Sequence, residues 1–277
     1  MTATFGSVVA SAPGKVILFG EHAVVYGTTA IAAALSDLRI FVEISSIPEE
    51  SVEVQLYDVV VPPEGNSFCY KIGICEVRNL FDESYAEEVL KPLDPDETVL
   101  NRLKAEFQNE PLAATQCLMA IMYLIARVIP ECLWPKLDSG VFYGGLRFEI
   151  KSKGLPIGAG LGSSAAFSVA LSAALFRLKQ QQQPFLERYH AVDSSKSVDS
   201  ASQLRSSAAK EIGAGDNSQR IRSKKRAIPV TLLPIINGWA YAAEVVIHGS
   251  PSGLDNTTRY HYKCKTHITA TANATQI

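Results

Sequence analysis

An α+β fold is what this sequence predicts, and three observations carry that expectation. Residues 7–57 hold short runs of alternating apolar and polar side chains, as half-buried antiparallel strands do. Helical periodicity and a long apolar run follow between Asp94 and Ile129. A glycine-rich turn then joins an alternating segment, Leu146 to Lys151, to an alanine-rich helical segment, Ser163 to Lys179. Sheet first and helices after argues for segregated layers rather than a doubly wound alternation.

Taken in order, residues 7–12 and 15–20 read as two short strands joined across Pro13-Gly14, a strong turn dipeptide. Residues 21–27 form a loop opening into a third apolar run, Thr29 to Leu35. Arg39 to Ser46 and Ser51 to Tyr57 complete a mainly antiparallel sheet. Pro62 to Lys91 is irregular and polar, and no pattern assigns it an element. Asp94 or Asp96 can cap a helix that runs to Phe107. Leu112 to Ile129 is apolar, but Thr115, Gln116 and Arg127 interrupt it and Pro111 and Pro130 bracket it. It reads as a buried helix, too short and too polar to span a bilayer. A strand near residues 141–151 leads into the glycine-rich turn.

Beyond Lys179 the texture changes. Gln180 to Arg226 opens on four consecutive glutamines, carries seven serines between Ser194 and Ser207, and ends in a basic run. Such a stretch buries too little apolar surface to offset its ordering, so it reads as a flexible polar insertion. The basic run reads as a solvated loop rather than a nucleic-acid patch. Order returns at Ile228, and Ile235 to Ile247 is an apolar strand or helix. The chain thus divides into a first lobe (1–179), the insertion (180–226), the start of a second lobe (227–258) and an atypical tail (259–277). His261, Cys264 and His267 in that tail lack the fourth ligand and the spacing of a zinc site.

Composition sets the outer bounds. The chain has 277 residues, 47% of them apolar, which suffices for a sizeable core. A formal charge of −2 gives no electrostatic reason to expect nucleic acid or an anionic membrane as partner. Five cysteines without a C-x-x-C pair read as reduced thiols, so a cytoplasmic location is the expectation, with a peroxisomal one as the alternative. Residues 1–9 lack the basic start and apolar core of a secretory signal, and no peroxisomal signal is visible.

The chemistry concentrates in the stretch from Gly154 to Ala166. Gly158, Gly160 and Gly162 alternate with Ala159 and Leu161, leaving the backbone free to approach a ligand without an intervening Cβ. The following helix aims its unpaired N–H groups and its positive dipole end at that loop, an arrangement suited to phosphate. Ser163 and Ser164 occupy the first helical positions, where a hydroxyl can cap the helix, touch phosphate or bind a metal ion. No Lys precedes the serines, so this is not a Walker loop. The third glycine comes one residue early for a dinucleotide fingerprint. From the loop alone, glycines that merely serve a strand-to-helix bend are an open alternative.

Three separated segments carry a family resemblance. The loop from Pro156 to Ala166 resembles the ATP-phosphate loop of the galactokinase, homoserine kinase, mevalonate kinase and phosphomevalonate kinase superfamily. The string Ala12-Pro-Gly-Lys-Val-Ile-Leu-Phe-Gly-Glu-His-Ala-Val-Val-Tyr-Gly27 resembles the N-terminal signature of the mevalonate kinase branch. His248-Gly-Ser-Pro-Ser-Gly-Leu-Asp-Asn256 is similar to the segment that carries that branch's catalytic aspartate. The resemblance implies a two-lobed α+β kinase fold and ATP-dependent phosphorylation of mevalonate, with Mg²⁺ as cofactor. It implies a homodimer in the complete protein, with neither nucleic acid nor membrane as partner.

Residue by residue, the resemblance implies that residues 158–164 hold the phosphates and that Ser164 and Glu244 hold Mg²⁺, a hard ion that takes oxygen ligands. It makes Asp255 the group that orients the substrate hydroxyl, with Lys15 beside it stabilising developing charge. Glu21 and His22 line the substrate pocket. Singly, each has a plainer reading: Lys15 and Asp255 as a surface ion pair, His22 as a core histidine, Glu244 as a solvated helix residue. The family also carries a third, C-terminal glycine-rich motif, whereas no glycine follows Gly253 here. The expectation is therefore a C-terminally truncated kinase with an incomplete second lobe. Two rival readings stand beside it: another kinase of the superfamily, and a non-catalytic isoform that binds nucleotide or a partner subunit.

Overall fold

The computed structural model describes residues 7–19, 31–58, 67–86, 92, 94–135, 144–155, 161–182, 226–227, 232–249, 269–270 and 275–276. Five strands form the body of one mixed sheet: β1 (Val8–Phe19), β2 (Ile31–Ile47), β3 (Ser51–Leu56), β4 (Phe68–Gly73) and β5 (Gly145–Lys153). Three two-residue strands, β6 (Arg226–Ala227), β7 (Thr269–Ala270) and β8 (Thr275–Gln276), extend it past β1. The order is β4-β3-β5-β2-β1-β8-β7-β6.

Alternation along the strands decides which face is covered. Val8, Ala10 and Ala12 on β1, Ile40, Val42 and Ile44 on β2, and Leu146, Phe148 and Ile150 on β5 are all buried. These residues join one hydrophobic cluster with the helices. The helices are α1 (Ile74–Asn79), α2 (Glu97–Glu106), α3 (Leu112–Val128), α4 (Ser163–Gln182) and α5 (Leu233–His248). Helix α4 lies directly on β1 and β2, and α3 and α5 pack against it. Burial is continuous from Ala165 to Phe176, so α4 is enclosed on every side. Its alanines at 165, 166, 170, 173 and 174 permit that close approach. Helix α3 is likewise buried from Leu118 to Val128. Among the described residues no helix is long and apolar enough to cross a membrane.

Several expectations change. Pro13-Gly14 makes no turn; β1 runs straight through it, with a register shift between Pro13 and Gly14 where β2 bulges. A proline is tolerated there because a bulge already interrupts the ladder. Gly14 serves close packing, since a Cβ at that position would meet the Leu155 side chain at 2.5 Å. Residues 31–35 of the expected apolar run and the strand at 39–46 are parts of the single strand β2, while residues 29 and 30 lie outside the described residues. Strands β2 and β3 are not neighbours: β5 inserts between them, antiparallel to β2 and parallel to β3. The stretch given no element, 62–91, contains β4, α1 and a short 3₁₀ turn at Glu83–Ala86. Residues 180–182, assigned to the insertion, belong to the last turn of α4, and residues 183–225 of the insertion lie outside the described residues.

Of the two candidate caps, Asp96 serves α2, accepting from the Val99 N–H at 2.8 Å. Its other oxygen accepts from the Tyr85 hydroxyl at 2.8 Å, and the Arg127 guanidinium lies 3.4 Å from the centre of the Tyr85 ring. Burial pulls the Asp96 carboxyl upward, but the Val99 N–H and the Tyr85 hydroxyl outweigh it and hold it below its ordinary value. Burial pushes the Cys117 and Cys132 thiols up to about 12, which leaves them protonated and inert.

Candidate active site

The site forms where β1 passes beneath the start of α4. Lys15 lies on β1 and is only 6% exposed. Its backbone N–H donates to the Leu161 carbonyl at 2.9 Å, which fixes the end of the glycine-rich turn against the strand. Gly162 then turns the chain into the helix with φ +69°, and its carbonyl accepts the first helical bond, from the Ala166 N–H at 2.9 Å. A Cβ on Gly162 would meet the Lys15 side chain at 2.9 Å. Glycine is needed here twice over, for the left-handed backbone and for the passage of the lysine stem. Lys15 is thereby held at the mouth of α4, at the positive end of the helix dipole.

Helix α5 supplies the acidic group. Glu244 faces α4 at 3% exposure, so the reading of it as a solvated helix residue does not hold. The Ser164 hydroxyl lies 3.4 Å from its Oε2, and the Ser168 hydroxyl donates to its Oε1 at 2.9 Å. His248, one turn further along α5, places Nε2 3.0 Å from the Ser164 hydroxyl and 3.9 Å from Glu244 Oε2. A buried carboxylate costs several kcal/mol of desolvation unless donors or cations meet it. Two hydroxyls from α4 do so here.

This constellation offers a hard cation an anionic oxygen and a neutral one, side by side at the end of a phosphate-type turn. Those are oxygen donors of the kind Mg²⁺ takes. Among the described residues no group of three or more His, Cys, Asp or Glu side chains gathers around a common point. A cation here would draw its remaining ligands from water and phosphate, the usual arrangement for Mg²⁺ in nucleotide sites.

Comparison with known proteins agrees with this geometry. Residues 123–203, which include the turn and all of α4, match the family described as GHMP kinases N terminal domain. The mevalonate kinase of Mus musculus is 32% identical over 253 residues, covering 89% of this chain and 50% of that protein. That of Homo sapiens is 30% identical over 261 residues, covering 91% and 53%. Over about nine tenths of its length the chain is similar to mevalonate kinases. The matched segment holds the end of α3, all of β5 and all of α4 of this α+β fold. The crystal structure of the Methanococcus jannaschii mevalonate kinase covers 90% of this chain and 50% of its own, at 22% identity and a TM-score of 0.46. The chain spans about half the length of the curated relatives it matches.

Of the residues singled out from the sequence, the structure brings together Lys15, Leu161, Gly162, Ser164 and Glu244, with Ser163 beginning α4. Glu21, His22, Gly158, Ala159, Gly160 and Asp255 lie outside the described residues. Ser168, and any role for His248, went unread. A signal existed: Ser164 and Ser168 stand four apart on one helix, and Glu244 and His248 four apart on another, so each pair shares a face. What the sequence lacked was the knowledge that those two faces meet.

Proposed function

We propose that this protein catalyses the ATP-dependent phosphorylation of mevalonate to 5-phosphomevalonate. The observation that carries the reading is the buried Glu244 carboxylate facing Ser164 at the first turn of α4, with Lys15 alongside. An acidic group so placed is costly to stability, and a cation that accompanies phosphate gives it a use. Similarity to mevalonate kinases supplies the substrate class.

In this reading the backbone of residues 158–164 binds the ATP phosphates at the N-terminus of α4. Ser164 and Glu244 would hold Mg²⁺, which when bound neutralises charge on the phosphates. Asp255 orients the primary hydroxyl of mevalonate and takes its proton as the oxygen forms a bond to the γ-phosphorus. The bond from that phosphorus to the β–γ bridging oxygen breaks, and ADP leaves. Lys15 offsets negative charge at the transferring group through its ammonium. Glu21 and His22 line the substrate pocket. A cytoplasmic location and a homodimeric assembly belong to the same proposal.

The test pairs turnover with binding. Purified chain is assayed for ADP release with Mg·ATP and mevalonate, galactose, homoserine or phosphomevalonate, while ATP affinity is measured by calorimetry. Mevalonate-dependent ADP release is expected. Turnover of another acceptor would move the protein to a different branch of the superfamily. ATP binding without turnover of any acceptor would overturn the kinase proposal in favour of a nucleotide-binding role.

A further inference from the structure

We propose that Ser168 sets the cation preference of this site, by holding the Glu244 carboxylate so that one oxygen only is turned toward Ser164. The inference rests on the kinase reading above and concerns a side chain deeper than the candidate ligands themselves. Ser168 lies one helical turn past Ser164 on α4 and is fully buried, with 0% exposure. Its hydroxyl donates to Glu244 Oε1 at 2.9 Å. The other carboxylate oxygen, Oε2, is the one near Ser164, at 3.4 Å, and near His248 Nε2, at 3.9 Å. The two oxygens therefore live in different surroundings, the inner one tied to Ser168 and the outer one facing Ser164 in the first turn of α4.

That asymmetry has a chemical consequence. A carboxylate with both oxygens available can clamp a cation through the pair. One whose inner oxygen is tied to a buried hydroxyl is held in one orientation, and turning to present both oxygens to a cation would strain or break that buried hydrogen bond. Mg²⁺ demands near-octahedral geometry with bonds of about 2.0–2.1 Å, which the narrow bite of a two-oxygen carboxylate does not satisfy. Ca²⁺ takes six to eight oxygens at about 2.3–2.6 Å and accepts carboxylates through one oxygen or two. A restrained Glu244 thus favours the smaller ion. Ser168 acts through Glu244 and needs no contact with cation or nucleotide, so it is a positioning residue.

The experiment is equilibrium binding of Mn²⁺ by the full chain in the presence of ADP, followed by electron paramagnetic resonance, with Mg²⁺ and Ca²⁺ as competitors. Ser168→Ala is expected to shift the Mg²⁺-over-Ca²⁺ preference toward Ca²⁺ by about tenfold, the scale of one hydrogen bond to a charged group. A general folding defect lowers both affinities together and leaves their ratio alone, so the ratio isolates the positioning effect. Ser168→Thr and Ser168→Val form a second, equal-sized pair. Thr keeps the hydroxyl and should keep the wild-type ratio, whereas Val should reproduce the shift seen with Ala. An unchanged ratio in both Ala and Val overturns the role of Ser168 and leaves the kinase reading standing. Absence of Mn²⁺ binding by the wild-type chain with ADP overturns both.

Discussion

Two carboxylates on opposite sides of the sheet show how differently one protein treats the same group. Glu53, on the open face, is met by Lys71 at 2.8 Å and Arg147 at 2.7 Å, with 16% of its own side chain exposed. The three residues sit in register across β4, β3 and β5, so the pairing needs no special backbone. Glu244, on the covered face, is met by the hydroxyls of Ser164 and Ser168 and by a histidine, with 4% of its side chain exposed. Full positive charges satisfy the exposed carboxylate. The buried one carries a larger desolvation cost, and two α4 hydroxyls are among the groups that meet it. The difference teaches where to look for function: an acid buried beside the first turn of α4 is a stronger candidate for a site than one paired on the open face.

The sharpest way to break that contrast is Glu244→Gln. It preserves shape and most hydrogen bonding while removing the charge. Mevalonate-dependent ADP release should fall by about 10²-fold or more, the scale of losing one electrostatic stabiliser in an active site. Thermal stability should hold or rise, because a buried charge replaced by a neutral group of similar volume is often no loss. A variant that keeps its rate and loses its stability would reverse the assignment and make Glu244 a structural acid.

A smaller effect is expected at Asp96, which is also paired but works for the fold. Asp96→Ala removes the cap of α2 and the acceptor of the Tyr85 hydroxyl together. Stability should drop by about 0.5–2 kcal/mol, the range for a lost N-cap. Denaturant unfolding measures it, and turnover of the folded fraction should not change. A selective loss of turnover would mean that the cluster around Arg127 reaches the site after all.

How much of this was legible in the sequence depends on whether the information was local. The buried helix α3, the capped helix α2 and the start of α4 after Gly162 were legible, because periodicity, caps and glycines act over a few residues. The position of β5 between β2 and β3 was not, since strand order depends on pairing between segments roughly a hundred residues apart. Strand β4 and helix α1, six residues each, are too short for a period to declare itself. At the site, Ser164 and Glu244 were reachable through motifs. Ser168 was not, because its partner lies 76 residues away on another helix. Pro13-Gly14 misled for a related reason: the dipeptide favours turns locally, but the pairing of β1 with β2 overrides it.

The smallest effect should come from Glu53 itself. Hydrogen bonds from Lys71 and then Arg147 hold its carboxyl below its ordinary value of 4.5. Ion pairs this exposed are worth little, so Glu53→Gln should change stability by less than about 1 kcal/mol at neutral pH. The sign of its pH dependence follows from the downward shift. The charged form is favoured in the folded state, so the contribution is complete above pH 4.5 and is lost as pH falls through the depressed folded value. The wild-type advantage over Glu53→Gln should therefore be flat near neutrality and close to zero in acid. Salt should erase it as well, because at about 1 M ionic strength the screening length falls to about 3 Å. Urea unfolding of both proteins across pH and salt reads this directly. A gap that widens in acid, or that survives salt undiminished, would mean that Glu53 behaves like a buried acid, and the contrast with Glu244 would no longer separate surface charge from site.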